Sequence, residues 1–280
     1  MTLPSLQHRQ ALALISRASL VLFCWIVLTL NGNTAAANDY TLIDSYPHYS
    51  GGFTQGLLIH EKMLYESSGL YGRSFLIYGD LRGGHRQLAL PADYFAEGVT
   101  ILNKALYLLT WKKGEALVFD PYTLEYRKRF HYTGEGWGLT DNGTHLIMSD
   151  GSDTLRFLNP DTFEPERTLR VRQAGKPVHH LNELEWHQGM ILANRWQTNH
   201  ILVIDEPSGE VVKTIDLTSL YPPSLRRKGV DVMNGIAYDS SDDTWLITGK
   251  HWPRIYRVKL MLSDHTRTPA PSPVSVSQPH

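Results

Sequence analysis

Cysteine is all but missing from this chain: one residue, Cys24, in 280. A lone thiol can form neither an intrachain disulfide nor a multi-cysteine metal centre, so a disulfide scaffold and a thiolate zinc site are excluded. Charge of one sign is not in excess either. Twenty-seven Lys and Arg stand against 28 Asp and Glu, a formal net charge of −1, which creates no field to recruit nucleic acid or an anionic membrane. The short basic run Arg226-Arg227-Lys228 reads as a solvated loop. Long apolar runs are lacking: the uncharged stretch from Ala18 to Leu30 falls short of the roughly 20 residues that span a bilayer. HxH and HExxH spacings, GxSxG and a phosphate-cradling glycine loop are also absent, which removes the motif-based metal, serine-hydrolase and nucleotide readings. No metal or cofactor is expected.

The two ends of the chain read differently from its middle. His8, Arg9 and Arg17 precede the apolar stretch, and Asn31-Gly-Asn-Thr-Ala-Ala-Ala-Asn38 follows it, the pattern of a secretory signal peptide over residues 1–37 cleaved after Ala37. Cys24 lies inside that stretch without small residues just before it, so it does not read as a lipid-attachment site. The mature protein is expected to be exported, periplasmic or secreted, free of the membrane, and monomeric. Residues 38–260 suffice for one domain with a substantial core. From 261 to 280 the chain is rich in Pro and Ser and poor in large apolar groups, and is expected to be a disordered tail.

What the middle does have is a repeat. Segments starting at Gly56, Gly98, Gly138, Glu183 and Gly235 each open an apolar strand. A turn follows in each: Glu61-Lys62, Asn103-Lys104, Asp141-Asn142-Gly143, Gln188-Gly189 and Ser240 to Asp243. A returning strand completes a hairpin. Further strands end in Asp or Asn turns, as in Leu76 to Asp80, Ala116 to Asp120 and Ile201 to Asp205, and outer strands run over Tyr126–Tyr132 and Val211–Leu217. Repeats of 40 to 52 residues built from short strands predict an all-β fold, a five-bladed β-propeller of four-stranded antiparallel blades. The last repeat is one strand short, and Tyr40 to Tyr46 is a spare strand. It is predicted to pair there and close the ring, because an open ring leaves two exposed edges.

The residue before each repeat start is Gln55, Glu97, Trp137, Asn182 or Asn234, and the hairpin geometry brings Gly69, Trp111, Gly151, Trp196 and Lys250 beside them. Taken singly, Trp in a β-protein is most often packing, Asn or Gln beside Gly is turn chemistry, and Glu before Gly is solvated. The ten positions together predict a pocket at one mouth of the channel, with three indoles, one carboxylate, one ammonium and three carboxamides.

The runs Phe53-Thr-Gln-Gly56, Tyr65-Glu-Ser-Ser-Gly-Leu-Tyr-Gly72, Glu97-Gly98, Leu109-Thr-Trp111, Gly136-Trp-Gly-Leu139, Ser149-Asp-Gly151, Leu181-Asn-Glu-Leu-Glu185, Ala193-Asn-Arg-Trp-Gln-Thr198, Asn234-Gly-Ile-Ala237 and Thr248-Gly-Lys-His-Trp-Pro253 resemble the plant and bacterial type of glutaminyl cyclase. The resemblance extends in order from about Tyr46 to Leu260 and implies a five-bladed propeller unrelated to the zinc-dependent animal enzymes. It departs from the family at Ala96, Arg195 and His251, of which His251 lies nearest the pocket and bears on substrate preference. The reaction implied is glutaminyl-peptide cyclotransfer: the α-amine of an N-terminal glutamine, in a peptide or protein, attacks its own γ-carboxamide, forming 5-oxoproline and releasing ammonia. Within that chemistry Glu97 takes the general acid/base role. Gln55, Asn182 and Lys250 supply donors to the developing oxyanion or the substrate carbonyl. Phe53, Trp111, Trp137 and Trp196 enclose the side chain, with Asn234 completing the substrate contacts. Two other classes stay open on the residues alone. One is a non-catalytic propeller that binds a peptide or sugar on its tryptophans, and the other is a lactonase-like metal propeller, which needs several channel carboxylates where only Glu97 is predicted.

Overall fold

The computed structural model describes residues 39–262; the expected signal peptide and the tail from residue 263 lie outside the described residues. Five four-stranded antiparallel sheets follow one another along the chain. Blade 1 consists of Thr54–His60, Met63–Ser68, Phe75–Gly79 and His85–Ala89, and blade 2 of Ala96–Leu102, Ala105–Thr110, Glu115–Phe119 and Tyr126–His131. Blade 3 comprises Leu139–Asp141, Leu146–Met148, Thr154–Leu158 and Pro165–Arg170, and blade 4 Leu181–His187, Met190–Arg195, His200–Asp205 and Val211–Asp216. Blade 5 takes Met233–Asp239, Thr244–Gly249 and Arg254–Leu260 from the end of the chain and Tyr40–Pro47 from its beginning. The first strand of each blade touches the first strands of both neighbours, so these five strands surround the axis.

Turn chemistry starts each blade. Glu61 and Lys62 have φ of 50° and 67°, and Asn103 and Lys104 have 52° and 58°. Two successive positive φ values define the tight turn whose twist matches that of the flanking strands. Beyond the hairpins, alternation of side chains divides each blade between two cores. In the second strand of blade 2, Leu106 and Leu108 pack towards blade 1, while Tyr107 and Leu109 pack towards blade 3. A strand buried on both faces needs apolar residues at consecutive positions, which is why Ala105–Thr110 reads as an unbroken apolar run.

At the axis the backbones come too close for side chains. A Cβ on Gly98 would stand 2.3 Å from the Leu139 nitrogen, and one on Gly138 would stand 2.0 Å from the Asn182 carbonyl oxygen. Blade 4 carries Glu183 at the same repeat position. Its carboxylate reaches to blades 1 and 5, accepting hydrogen bonds from Leu57 N at 3.3 Å and Ile236 N at 2.8 Å.

The N-terminal strand closes the ring as the edge argument requires, running antiparallel to Arg254–Leu260 from Tyr40 opposite Leu260 to Pro47 opposite Arg254. His48, the next residue, locks this closure. Its Nδ1 lies 2.8 Å from the Trp252 carbonyl and its Nε2 3.0 Å from Glu66 Oε1, and Ser50 and Thr54 also donate to Glu66. Burial opposes charge on both groups, but the pairing prevails: His48 is raised above its ordinary value of 6.5 and Glu66 lowered below 4.5. A raised histidine contributes fully below 6.5 and loses its contribution as pH climbs through the folded value. A lowered glutamate contributes fully above 4.5 and loses it as pH falls. The clasp is therefore strongest between pH 4.5 and 6.5. His48→Gln is expected to lower the thermal midpoint most in that interval, and thermal melts from pH 4 to 9 should show the deficit shrinking on the alkaline side; a deficit independent of pH would contradict the ionic clasp.

Candidate functional site

The recurring residues owe their aim to a break in the strand ladder. In four blades the register slips at the repeat start: between Thr54 and Gly56, Ala96 and Val99, Leu181 and Leu184, and Met233 and Ile236. Such bulges bend a strand and redirect the side chain at the slip, and they concentrate beside active sites. Gln55, Glu97, Asn182 and Asn234 all sit in these slips. Trp137 lies two residues before its strand and is anchored by its amide to the Ser149 carbonyl at 3.0 Å. Side chains of one blade then fix the ring backbone of the next. Ser67 Oγ donates to the Glu97 carbonyl, Ser149 Oγ to the Asn182 carbonyl at 2.7 Å, and Gly235 N to Asn194 Oδ1 at 2.9 Å.

These elements surround a cavity of about 430 Å3, ample for an amino-acid side chain and the start of a peptide. Phe53, Gln55, Glu97, Trp111, Trp137, Asn182, Trp196 and Lys250 line it. Asn234 does not. It is fully buried, and its Nδ2 donates to the carbonyls of Thr54 and Gln55 at 3.0 and 3.2 Å, so it bolts blade 5 to blade 1 instead of meeting a ligand. The glycines of the second ring are seats for aromatic rings. A Cβ on Gly151 would lie 2.7 Å from the Trp137 ring, and one on Gly69 2.2 Å from that of Phe95.

Phe95 lines the cavity, together with Leu70, Gln197, Asp231 and Val232, and none of the five was singled out from the sequence. A signal for two of them was present. Phe53, Phe95, Glu135, His180 and Val232 each lie two residues before a ring residue, forming a third ring. Three of these five line the cavity, and His180 packs against Trp196 with ring centroids 5.6 Å apart. The backbone ties this ring to the second, through Trp111 N to Phe95 O, Trp196 N to His180 O and Lys250 N to Val232 O. The aromatic wall is continuous in two arcs: Phe53 to Phe95 to Trp111, at 6.3 and 5.4 Å, and Trp137 to Trp196, at 5.5 Å.

Glu97 is 4% exposed, and burial drives its carboxyl well above the ordinary range against the pull of the Lys250 ammonium; the Glu135 charge pushes the same way as burial. Gln55 Nε2 donates to Glu97 Oε1 at 3.1 Å, and the Gln55 Oε1 is buried without a partner. The amide nitrogen of Gln55 thus faces the Glu97 carboxyl. Lys250 is 6% exposed, with its ammonium 4.7 Å from the Phe53 ring centre, and burial lowers its pKa against the opposing pull of Glu97 and Asp231. A carboxyl raised and an amine lowered by the same desolvation, side by side in a cavity, mark a candidate site for chemistry. Among the described residues, no group of three or more His, Cys, Asp or Glu is placed to hold a metal ion.

A five-bladed propeller with a mouth pocket that combines an indole wall, a buried carboxyl and a buried amine defines the class: an arrangement able to enclose a small polar group. The comparisons with known proteins narrow it. Residues 18–260 match the family model described as glutamine cyclotransferase. The glutaminyl-peptide cyclotransferase of Arabidopsis thaliana is 37% identical over 229 residues, covering 80% of this chain and 72% of that protein. The crystal structure of Myxococcus xanthus glutaminyl cyclase superposes with a TM-score of 0.71 at 34% identity, covering 79% of this chain and 96% of that one. The chain belongs to the glutamine cyclotransferase family.

The raised pKa of Glu97 also carries a stability consequence. A carboxyl whose folded pKa lies above its unfolded value of 4.5 contributes fully below 4.5 and costs stability as pH rises through the folded value. Glu97→Gln is expected to leave the thermal midpoint at pH 8 equal to or above that of the parent, with the advantage vanishing at pH 4. A variant markedly less stable than its parent at pH 8 would show that the ionised carboxylate is held by the fold and would overturn the assignment.

Proposed function

We propose that this protein is a glutaminyl-peptide cyclotransferase acting on peptides or proteins with N-terminal glutamine, and that Glu97 is its general acid/base. The observation that carries the reading is the buried Glu97 carboxyl, bonded to Gln55 and pulled on by Lys250, inside a cavity walled by Trp111, Trp137 and Trp196.

In this reaction nucleophile and electrophile belong to one residue, so the enzyme's first task is conformational: the cavity holds the side chain folded back on its own amine. The neutral α-amine forms a bond to the γ-carbon, and the carbonyl electrons move onto oxygen. Asn182, whose carboxamide makes no hydrogen bond to another described residue, and Lys250 supply donors to that oxyanion. Glu97 removes a proton from the attacking nitrogen and delivers one to the departing nitrogen. The C–N bond then breaks and ammonia leaves, with the carboxyl returned to its starting state. Gln55 steadies the Glu97 carboxyl through the bond from its Nε2. No covalent enzyme intermediate is required.

Export to the periplasm or medium follows from the signal-like pattern over residues 1–37. We assign the mature enzyme no membrane, nucleic-acid or cofactor partner and a monomeric state.

Incubating the mature chain with a panel of Gln-initiated peptides should remove one ammonia from each substrate by mass spectrometry, with EDTA present. A panel that stays unchanged would favour a peptide-binding propeller. Glu97→Gln is expected to slow turnover by about a hundredfold or more with peptide binding retained; undiminished turnover would remove Glu97 from the proton-transfer role.

A further inference from the structure

Glu135 belongs to the third ring, at the repeat position where Phe53, Phe95 and Val232 line the cavity. Its side chain does not line the cavity, and it has two partners that do. Oε2 accepts hydrogen bonds from Trp111 Nε1 at 2.7 Å and from Trp137 Nε1 at 2.9 Å. One oxygen of one carboxylate thus ties an indole of blade 2 to an indole of blade 3. The other oxygen lies 3.5 Å from Lys112 Nζ, and that ammonium stands 4.0 Å from the Trp111 ring centre. The loop beneath is held as well: Arg156 donates to the carbonyls of Thr133 and Glu135 at 2.9 and 3.2 Å.

An indole can seat in a pocket with its N–H on either side, and an anionic acceptor shared by two rings selects one side for both. Both N–H groups then point to Glu135, leaving carbon edges and π faces for the cavity. We infer that Glu135 is a positioning residue, whose carboxylate fixes the orientation of Trp111 and Trp137 and so sets the shape and the polarity of the substrate-binding wall. The inference rests on the cyclase reading of the cavity. The bonds from both indoles, with Lys112, also hold Glu135 below the ordinary carboxylate value against its partial burial.

The test uses the mature protein with Glu135→Ala, which deletes the acceptor, and Glu135→Gln, which keeps one acceptor oxygen. Kinetics with a Gln-initiated dipeptide and near-UV circular dichroism read the outcome. Glu135→Ala is expected to raise KM about tenfold with kcat within about threefold, as loss of binding geometry without loss of the proton shuttle requires, and to alter the indole bands. Glu135→Gln should keep KM within about threefold of the parent and preserve those bands. Should the alanine protein not fold, Glu135→Leu supplies similar volume without the oxygen. An alanine or leucine variant with unchanged indole bands and KM overturns the proposal, and so do equal losses in the glutamine and alanine variants. The dichroism reads the indoles without turnover, so it judges the positioning role even where the parent releases no ammonia, an outcome that counts against the cyclase reading alone.

Discussion

Everything in this molecule depends on how closely five inner strands approach one another around the axis. The contact is backbone to backbone: Gly98 against Leu139, and Gly138 against Asn182. A ring of five blades has little room at its centre, and a side chain at these positions would push neighbouring blades apart. Each such glycine directly follows a ring residue, so the close approach and the aim of the functional side chain come from the same bend in the strand. Glu183 shows the alternative solution. Where blade 4 has no glycine, a carboxylate spans the gap and takes the amide protons of Leu57 and Ile236, which joins three blades at one point.

The same scaffold separates the chemistry of two glutamates. Glu97 lies among aromatic rings, with one neutral hydrogen bond from Gln55, and burial pushes its carboxyl upward. Glu135 stands at the rim, where two indole N–H groups and Lys112 hold it ionised. Identical side chains are driven apart in pKa by environment alone, the pattern by which active sites divide labour between carboxylates. The charge of Glu135 adds a lesser push to the burial that raises Glu97.

Much of this was legible in the sequence because it is written locally. The pairs Glu61-Lys62 and Asn103-Lys104 mark turns, the repeat starts mark blades, and the spare strand from Tyr40 marks the closure. Eight of the nine residues given a catalytic or substrate-contact role line the cavity, while Gly69 and Gly151 of the second ring do not. What was not legible depends on direction. Asn234 shares the repeat position of Gln55 and Glu97, yet Gly235 and the neighbouring blade 1 backbone turn its amide towards Thr54. Period alone does not reveal which side of a bulge a side chain takes. Phe95 escaped notice because Phe in a β-protein is ordinarily core; its kinship with Phe53 is visible only once the ring is read two residues upstream. Glu135 reads as a solvated acid beside Gly136, and its role exists only when Trp111 arrives from another blade.

The orientation of the indoles has a consequence for what the cavity can recognise. With the N–H groups of Trp111 and Trp137 directed at Glu135, few polar atoms remain to meet a ligand. Lys250 and Asn182 can donate to an oxygen, and Gln55 Oε1 is a buried acceptor without a partner. A buried unpaired acceptor is costly until something donates to it. A carboxamide brings an oxygen for the donors of the cavity and adds no charge beside the buried Glu97 carboxyl. A carboxylate of the same shape brings no donor and sets a second acid beside Glu97. Polar groups placed to be satisfied by one functional group reject its near isostere far more strongly than apolar packing can. An indole wall with its N–H groups turned away, around a buried carboxyl, thus suits an uncharged polar group better than an ionised one.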